Sequence, residues 1–276
     1  QGVIKLGLND STELISLKKE NASLKATINK LANKNLSSQN LQLNQINLPF
    51  VSRNLTGKSY AFVEVVSEKI LLVSAYGDIR YLNTNSINKN KIKILKNNLK
   101  EIITDKLFYD IQSSYDHSSN VSIKDILVFD NKIYVSYIKK NLNFNNNCYN
   151  SSILSAELNF DLLIFSEFFS YDQCVENFSS KQVGGRMAGN NKNNNIFFTI
   201  GDFNNDSVSP KEYTRAQDEN SIFGKIISID IDTKIYSIIS KGHRNQQGLC
   251  YVSDKDILLS TEHGPNGGDE INNIEI

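Results

Sequence analysis

Two hydrophobic periods divide this chain. Over residues 11–36, Leu14, Leu17, Asn21, Leu24, Ile28 and Leu31 recur at alternating steps of three and four, which is one face of a helix. Ser11 or Thr12 can cap its start, with acidic residues following. Read as a heptad seam, the face has Asn21 at a core position, where a buried amide favours one register and self-association of the helix. About three heptads is short for a coiled coil, and the same face serves equally to lie on the following domain or tether it. Residues 1–10 precede the helix as an N-terminal segment. Residues 37–47 are polar, rich in Asn, Ser and Gln, and suit a linker.

From residue 48 the period changes to short apolar runs between polar turns. Four hairpins look alike: "VVSEKILLVSA", "LVFDNKIYVSYI", "NKNNNIFFTIGD" and "YVSDKDILLSTE". Each is a strand, a polar turn, then an isoleucine leading a second strand. The aligned residues Ile70, Ile133, Ile196 and Ile257 are 63, 63 and 61 residues apart. Further strand patterns ("SILSAEL", "LLIFSEFF", "GKIISIDI", "KIYSIIS") lie between them, with one short helical pattern near 96–106. Four strands in roughly 40–60 residues, repeated, predict all-β propeller blades over residues 48–276. A β-sandwich does not predict so long a regular spacing.

Composition narrows the class. The 276 residues are 39% hydrophobic and 22% charged with no net charge, so neither nucleic acid nor an anionic membrane is an expected partner. No apolar run approaches the roughly 20 residues of a membrane-spanning helix. The only methionine is Met187, so Gln1 is not an initiator, and the chain is expected to be processed or a fragment. Cys148 and Cys174 bracket a strand–turn–strand pattern, and a disulfide between them would fit an exported protein. Two unpaired small hydrophobes remain the alternative, and Cys250 sits in an apolar run.

Candidate chemistry concentrates near the end, in "GHRN" and "STEHGPNGGDE". The second follows the same strand of its repeat as "GDFNND" does one repeat earlier, so both should open on one face of the propeller. His243, Arg244, His263 and Glu270 each have a structural reading as loop clamps, and the glycines a reading as turn formers. Their clustering on successive loops favours a site.

"GHRNQQGL" and "TEHGPNGGDEIN" resemble the glucose/sorbosone dehydrogenase family, as do "GGRMAG…IFFTIGD" and "AQDENSIFGKIISIDIDT" in the same order. The resemblance covers about residues 182–276. It implies a six-bladed β-propeller, pyrroloquinoline quinone (PQQ) and Ca²⁺ as cofactors, oxidation of the anomeric hydroxyl of an aldose sugar, and a periplasmic or extracellular location. By that resemblance Arg244 is an active-site arginine. Asn245, Gln247 and His263 belong to cofactor-contacting loops, Gly264 and Pro265 bind Ca²⁺ through their carbonyls, and Glu270 matches an acid at a second Ca²⁺ in some members. Hard Ca²⁺ accepts such oxygens.

Two features depart from the family. Its base is a histidine where this chain has Gln182, in "SKQVGGRM", and a glutamine amide accepts no proton near neutral pH. Its early "GQGG"-like cofactor loop is missing. Six blades of about 62 residues need on the order of 370 residues. The chain is therefore expected to stop within the fold, before the family's later quinone-binding Lys and Arg residues. The alternative function is a non-catalytic propeller that binds a glycan or a protein partner.

Overall fold

The computed structural model describes residues 61–75, 77–85, 92–103, 123–141, 148–176, 178, 182–203, 215–264 and 267–276. They belong to the unit Asn47–Ile276. The helix, linker and N-terminal segment expected before residue 48 lie outside the described residues.

Among the described residues, sixteen strands and one short helix follow in order. The first sheet holds β1 (Ala61–Val66), β2 (Lys69–Ser74), β3 (Ile79–Asn83) and β4 (Lys93–Asn97), followed by α1 (Leu99–Ile102). The second holds β5 (Ile123–Phe129), β6 (Lys132–Asn141), β7 (Cys148–Glu157) and β9 (Ser166–Phe169). In the third are β10 (Gly184–Asn190), β11 (Asn195–Ile200), β12 (Lys225–Asp230) and β13 (Tyr236–Lys241). The fourth contains β14 (Gln246–Val252), β15 (Ile257–Glu262) and β16 (Glu270–Ile274). Within each sheet these strands pair antiparallel with their sequence neighbours. Among the described residues only β8 (Leu162–Leu163) departs, pairing in parallel with β4 of the first sheet. The run "LLIFSEFF" is thus split between two sheets, and the Asn98 side chain fixes the crossing by bonding both the N–H and the carbonyl of Phe165.

The turns explain the hairpins. Asp130 and Asn131 both take positive φ, 47° and 55°, as a two-residue type I′ connection requires, and Asp and Asn tolerate that region. The first strands β1, β5, β10 and β14 lie beside one another in succession, so the sheets radiate from a common axis. Leu71, Ile133, Tyr134, Phe198 and Ile227 are among the fully buried residues between the first three sheets, while Phe197, Ile226 and Leu258 fill the space between the third and fourth.

The repeat read from the sequence needs one correction. Ile70, Ile133 and Ile196 are each the second residue of the second strand in their sheet, but Ile257 is the first residue of β15. Leu258 is the equivalent position, fully buried against Phe197 of the preceding sheet. With a side-chain period of two, a one-residue slip turns Ile257 to the opposite face.

Candidate functional site

Gly184 pairs with Ile200, and Gln246 pairs with Glu262. The starts of β10 and β14 and the ends of β11 and β15 therefore share one end of the sheets. The loops at that end form a connected network. Gln182 accepts the Phe203 N–H at 3.0 Å, and Asp202 N–H donates to the Arg244 carbonyl at 2.9 Å. His243 N–H reaches the Gly224 carbonyl at 3.1 Å, and His263 N–H reaches the Asn245 carbonyl, also at 3.1 Å. Gly184, at φ +62°, donates its N–H to Asn245 Oδ1 at 3.3 Å, and a Cβ there would stand 2.9 Å from the Gly201 nitrogen. Backbone approach that close requires glycine.

Each inner strand from the second sheet to the fourth carries a bulge near its start. The irregularities fall at Lys124, at Gly185–Arg186 and at Gln247. Bulges of this kind re-aim side chains and favour the surroundings of functional sites. Gln247, in the last of them, donates its amide to Asn245 Oδ1 at 2.8 Å. Gly185 takes φ +101°, and a Cβ there would stand 2.5 Å from Lys124 Cβ. Burial and the nearby Arg186 charge lower Lys124 to about 7.

Arg244 is half-buried, and its Nη1 lies 3.3 Å from the His263 carbonyl and 3.4 Å from the Gly264 carbonyl. Asp269 accepts the Gly264 N–H at 3.1 Å and stands 3.5 Å from His263 Nδ1. Glu270 is exposed, accepts from Asn272 at 3.2 Å, and pairs across the strands with Glu262. Pro265 lies outside the described residues. The structure thus gathers Arg244, Asn245, Gln247, His263 and Gly264, and joins Gln182 to them through the Asp202–Phe203 backbone.

Two buried ionisable groups hold the loops from beneath. Lys225 is fully buried, and its ammonium donates to the carbonyls of Arg215, Ala216 and Phe223 at 2.9–3.0 Å. Burial lowers its pKa. Glu262 is 9% exposed; one oxygen stands 2.8 Å from His243 Nδ1, and the other accepts the backbone N–H groups of Arg244 and Asn245. Burial pushes the Glu262 carboxyl up, but the His243 bond and the two amides outweigh it and hold the group below its ordinary value. Sequence reading missed Glu262 as a site residue. Its one signal was an acid at the end of an apolar strand, directly before the His–Gly turn.

Radial sheets with a polar loop network at one end define a β-propeller-like protein. Residues 119–276 match the glucose/sorbosone dehydrogenase family model, and the chain belongs to that family. An uncharacterized protein of Synechocystis sp. is 35% identical over 96 residues, 29% of this chain and 23% of that protein. Among solved structures, a glucose dehydrogenase superposes with a TM-score of 0.56 at 16% identity, covering 77% of this chain and 59% of that one. The soluble aldose sugar dehydrogenase of Escherichia coli, in its apo form, gives 0.55 at 18%, covering 77% and 58%. These likenesses establish the fold. The chain spans less than two thirds of the length of each of these proteins.

Proposed function

We propose that this chain is part of an exported, six-bladed quinoprotein that oxidises aldose sugars with PQQ and Ca²⁺. The observation that carries the reading is the convergence of the His263 and Gly264 carbonyls on the Arg244 guanidinium. By the family resemblance Gly264 and Pro265 would offer their backbone carbonyls to Ca²⁺, a hard cation that takes such oxygens, and the Gly264 carbonyl faces the Arg244 side chain. Arg244, Asn245 and Gln247 would hold the quinone beside the metal. Exposed apolar residues on the outer faces of the first and fourth sheets, Val65 at 67%, Ile94 at 72% and Ile271 at 78%, suit further sheets of a closed ring. The Cys148–Cys174 disulfide supports an exported location. Among the described residues, no helix is long and apolar enough to cross a membrane. Self-association through residues 11–36 belongs to the same proposal.

Oxidising an aldose takes a hydride from the anomeric carbon and a proton from its hydroxyl, giving a lactone; bound PQQ, polarised by Ca²⁺, supplies the hydride acceptor. Arg244 offers a fixed positive charge where negative charge builds. Asn245, held by Gly184 and Gln247, fixes the turn that carries Arg244. Gln182 stands where the proton acceptor belongs and cannot act as one. That residue favours the second reading, a non-catalytic propeller binding a glycan or a protein.

The experiment is PQQ reduction by full-length, Ca²⁺-loaded protein with a panel of aldoses, wild type beside Gln182→His. Wild-type turnover is expected to be weak or absent, and Gln182→His to raise it by about 10²–10⁴-fold, the usual contribution of a positioned base. Robust turnover surviving in Gln182→Ala would move the base elsewhere. No turnover in any variant, with no PQQ binding, would overturn the quinoprotein reading and favour the binding module.

A further inference from the structure

Glu262 occupies an unusual place in the loop network. Its Oε2 meets His243 Nδ1 at 2.8 Å, while Oε1 receives two consecutive backbone N–H groups, those of Arg244 and Asn245. The next two residues after Glu262 are His263 and Gly264, whose carbonyls receive the Arg244 guanidinium. One buried carboxylate therefore anchors both partners of that contact: the Arg244 backbone through hydrogen bonds, and the carbonyl turn through the chain itself. His243 is buried too, and its other nitrogen, Nε2, lies 2.7 Å from Ser240 Oγ at the end of β13. The ring thus bridges the outermost strand of the third sheet to the last residue of β15 in the fourth.

Energetics favour a role beyond filling space. Consecutive N–H groups pointed at a buried carboxylate form charge-assisted bonds, about twice as strong as neutral ones. A half-buried arginine has many rotamers, and fixing its backbone and its acceptors through one group narrows them together.

We propose that Glu262, steered by His243, is the positioning carboxylate of the Arg244–Asn245 turn and sets Arg244 for a quinone ligand. The inference rests on the quinoprotein reading above. Glu262 touches neither quinone nor sugar in this scheme; it acts through Arg244 and Asn245. Loss of supporting contacts of this kind typically lowers ligand affinity or activity about 10–100-fold.

The test uses full-length protein and PQQ with Ca²⁺, reading the PQQ dissociation constant, the melting temperature and hydrogen exchange at the Arg244 and Asn245 amides. Glu262→Gln should raise the dissociation constant about 10–100-fold and speed exchange at both amides. His243→Asn, whose amide can replace Nδ1, should keep PQQ affinity within a few fold of wild type. His243→Gln, whose amide replaces Nε2 and reaches Ser240, should behave like Glu262→Gln. Melting temperatures above the assay temperature show that each variant is folded. If the two histidine variants lose affinity equally, or lose melting temperature while affinity holds, Glu262 is only structural and the proposal is overturned. Wild type that binds no PQQ would overturn the quinoprotein reading and this inference with it. That failure appears in the unmutated protein, whereas failure of the positioning role alone appears only in the variants.

Discussion

Asp125 of the second sheet and Arg186 of the third meet across their inner strands, with Oδ1 and Nη1 3.1 Å apart. The other carboxylate oxygen accepts the Met187 N–H at 2.8 Å. One side chain thus links two radial sheets beside the axis and satisfies the backbone at a bulge. Burial outweighs the Arg186 charge and the amide bonds, leaving the Asp125 carboxyl above its ordinary range. Asp125→Ala would strand the guanidinium and the amide together. We expect a loss of about 1–3 kcal/mol in urea unfolding, the range for an unsatisfied, partly buried polar group. A loss below about 0.5 kcal/mol would mean that water satisfies both groups.

Lys124 predicts a pH dependence. Its folded-state pKa lies at about 7, below the ordinary 10.5, through burial first and the Arg186 charge second. Between those values the unfolded chain keeps a proton that the folded chain has shed. Stability therefore rises with pH through that window, and the cost of burying the ammonium is full below it. Lys124→Met keeps the aliphatic packing against Gly185 and removes the charge. It should be more stable than wild type at pH 6, by on the order of 1 kcal/mol, with the gap closing towards pH 10. Parallel denaturation curves at pH 6, 8 and 10 check the sign. A gap that widens with pH would show that Lys124 is favoured as a cation.

Cys148 and Cys174 are joined in a disulfide that closes a loop of 26 residues, so the pairing left open by the sequence is formed. The bond ties the start of β7 to the segment after β9, where Tyr149 and Val175 also exchange backbone bonds. Cross-linking a loop of that length stabilises by about 3 kcal/mol, chiefly by restricting the unfolded chain. Cys148→Ser with Cys174→Ser should lower stability by about 2–4 kcal/mol, read from urea midpoints with and without reductant. Reductant should shift the wild-type midpoint and leave the double variant unmoved.

The sequence alone determined the strands, the repeat and the family. Alternating apolar residues, Asp130–Asn131 in a two-residue turn and spacings near 63 are local or periodic signals, and local backbone preferences suffice to express them. The Arg244 and Gly264 motifs were legible for the same reason, since each is a short contiguous word.

What tertiary structure decided were the relations between words. Leu258, not Ile257, holds the equivalent buried position, because Ile257 directly follows its turn whereas Ile196 stands one residue beyond an equally long one, and a strand's faces alternate at every residue. Leu162 and Leu163 leave their own sheet for β4 because Asn98 captures the Phe165 backbone 67 positions away. Glu262 looked like the end of a strand until folding brought its carboxylate beneath the Arg244 turn, 18 residues earlier in the chain. Hydrogen bonds of this kind depend on distance and angle between separate loops, which no residue spacing encodes. For the same reason the meeting of the Arg244 guanidinium with the His263 and Gly264 carbonyls is visible only in the folded chain.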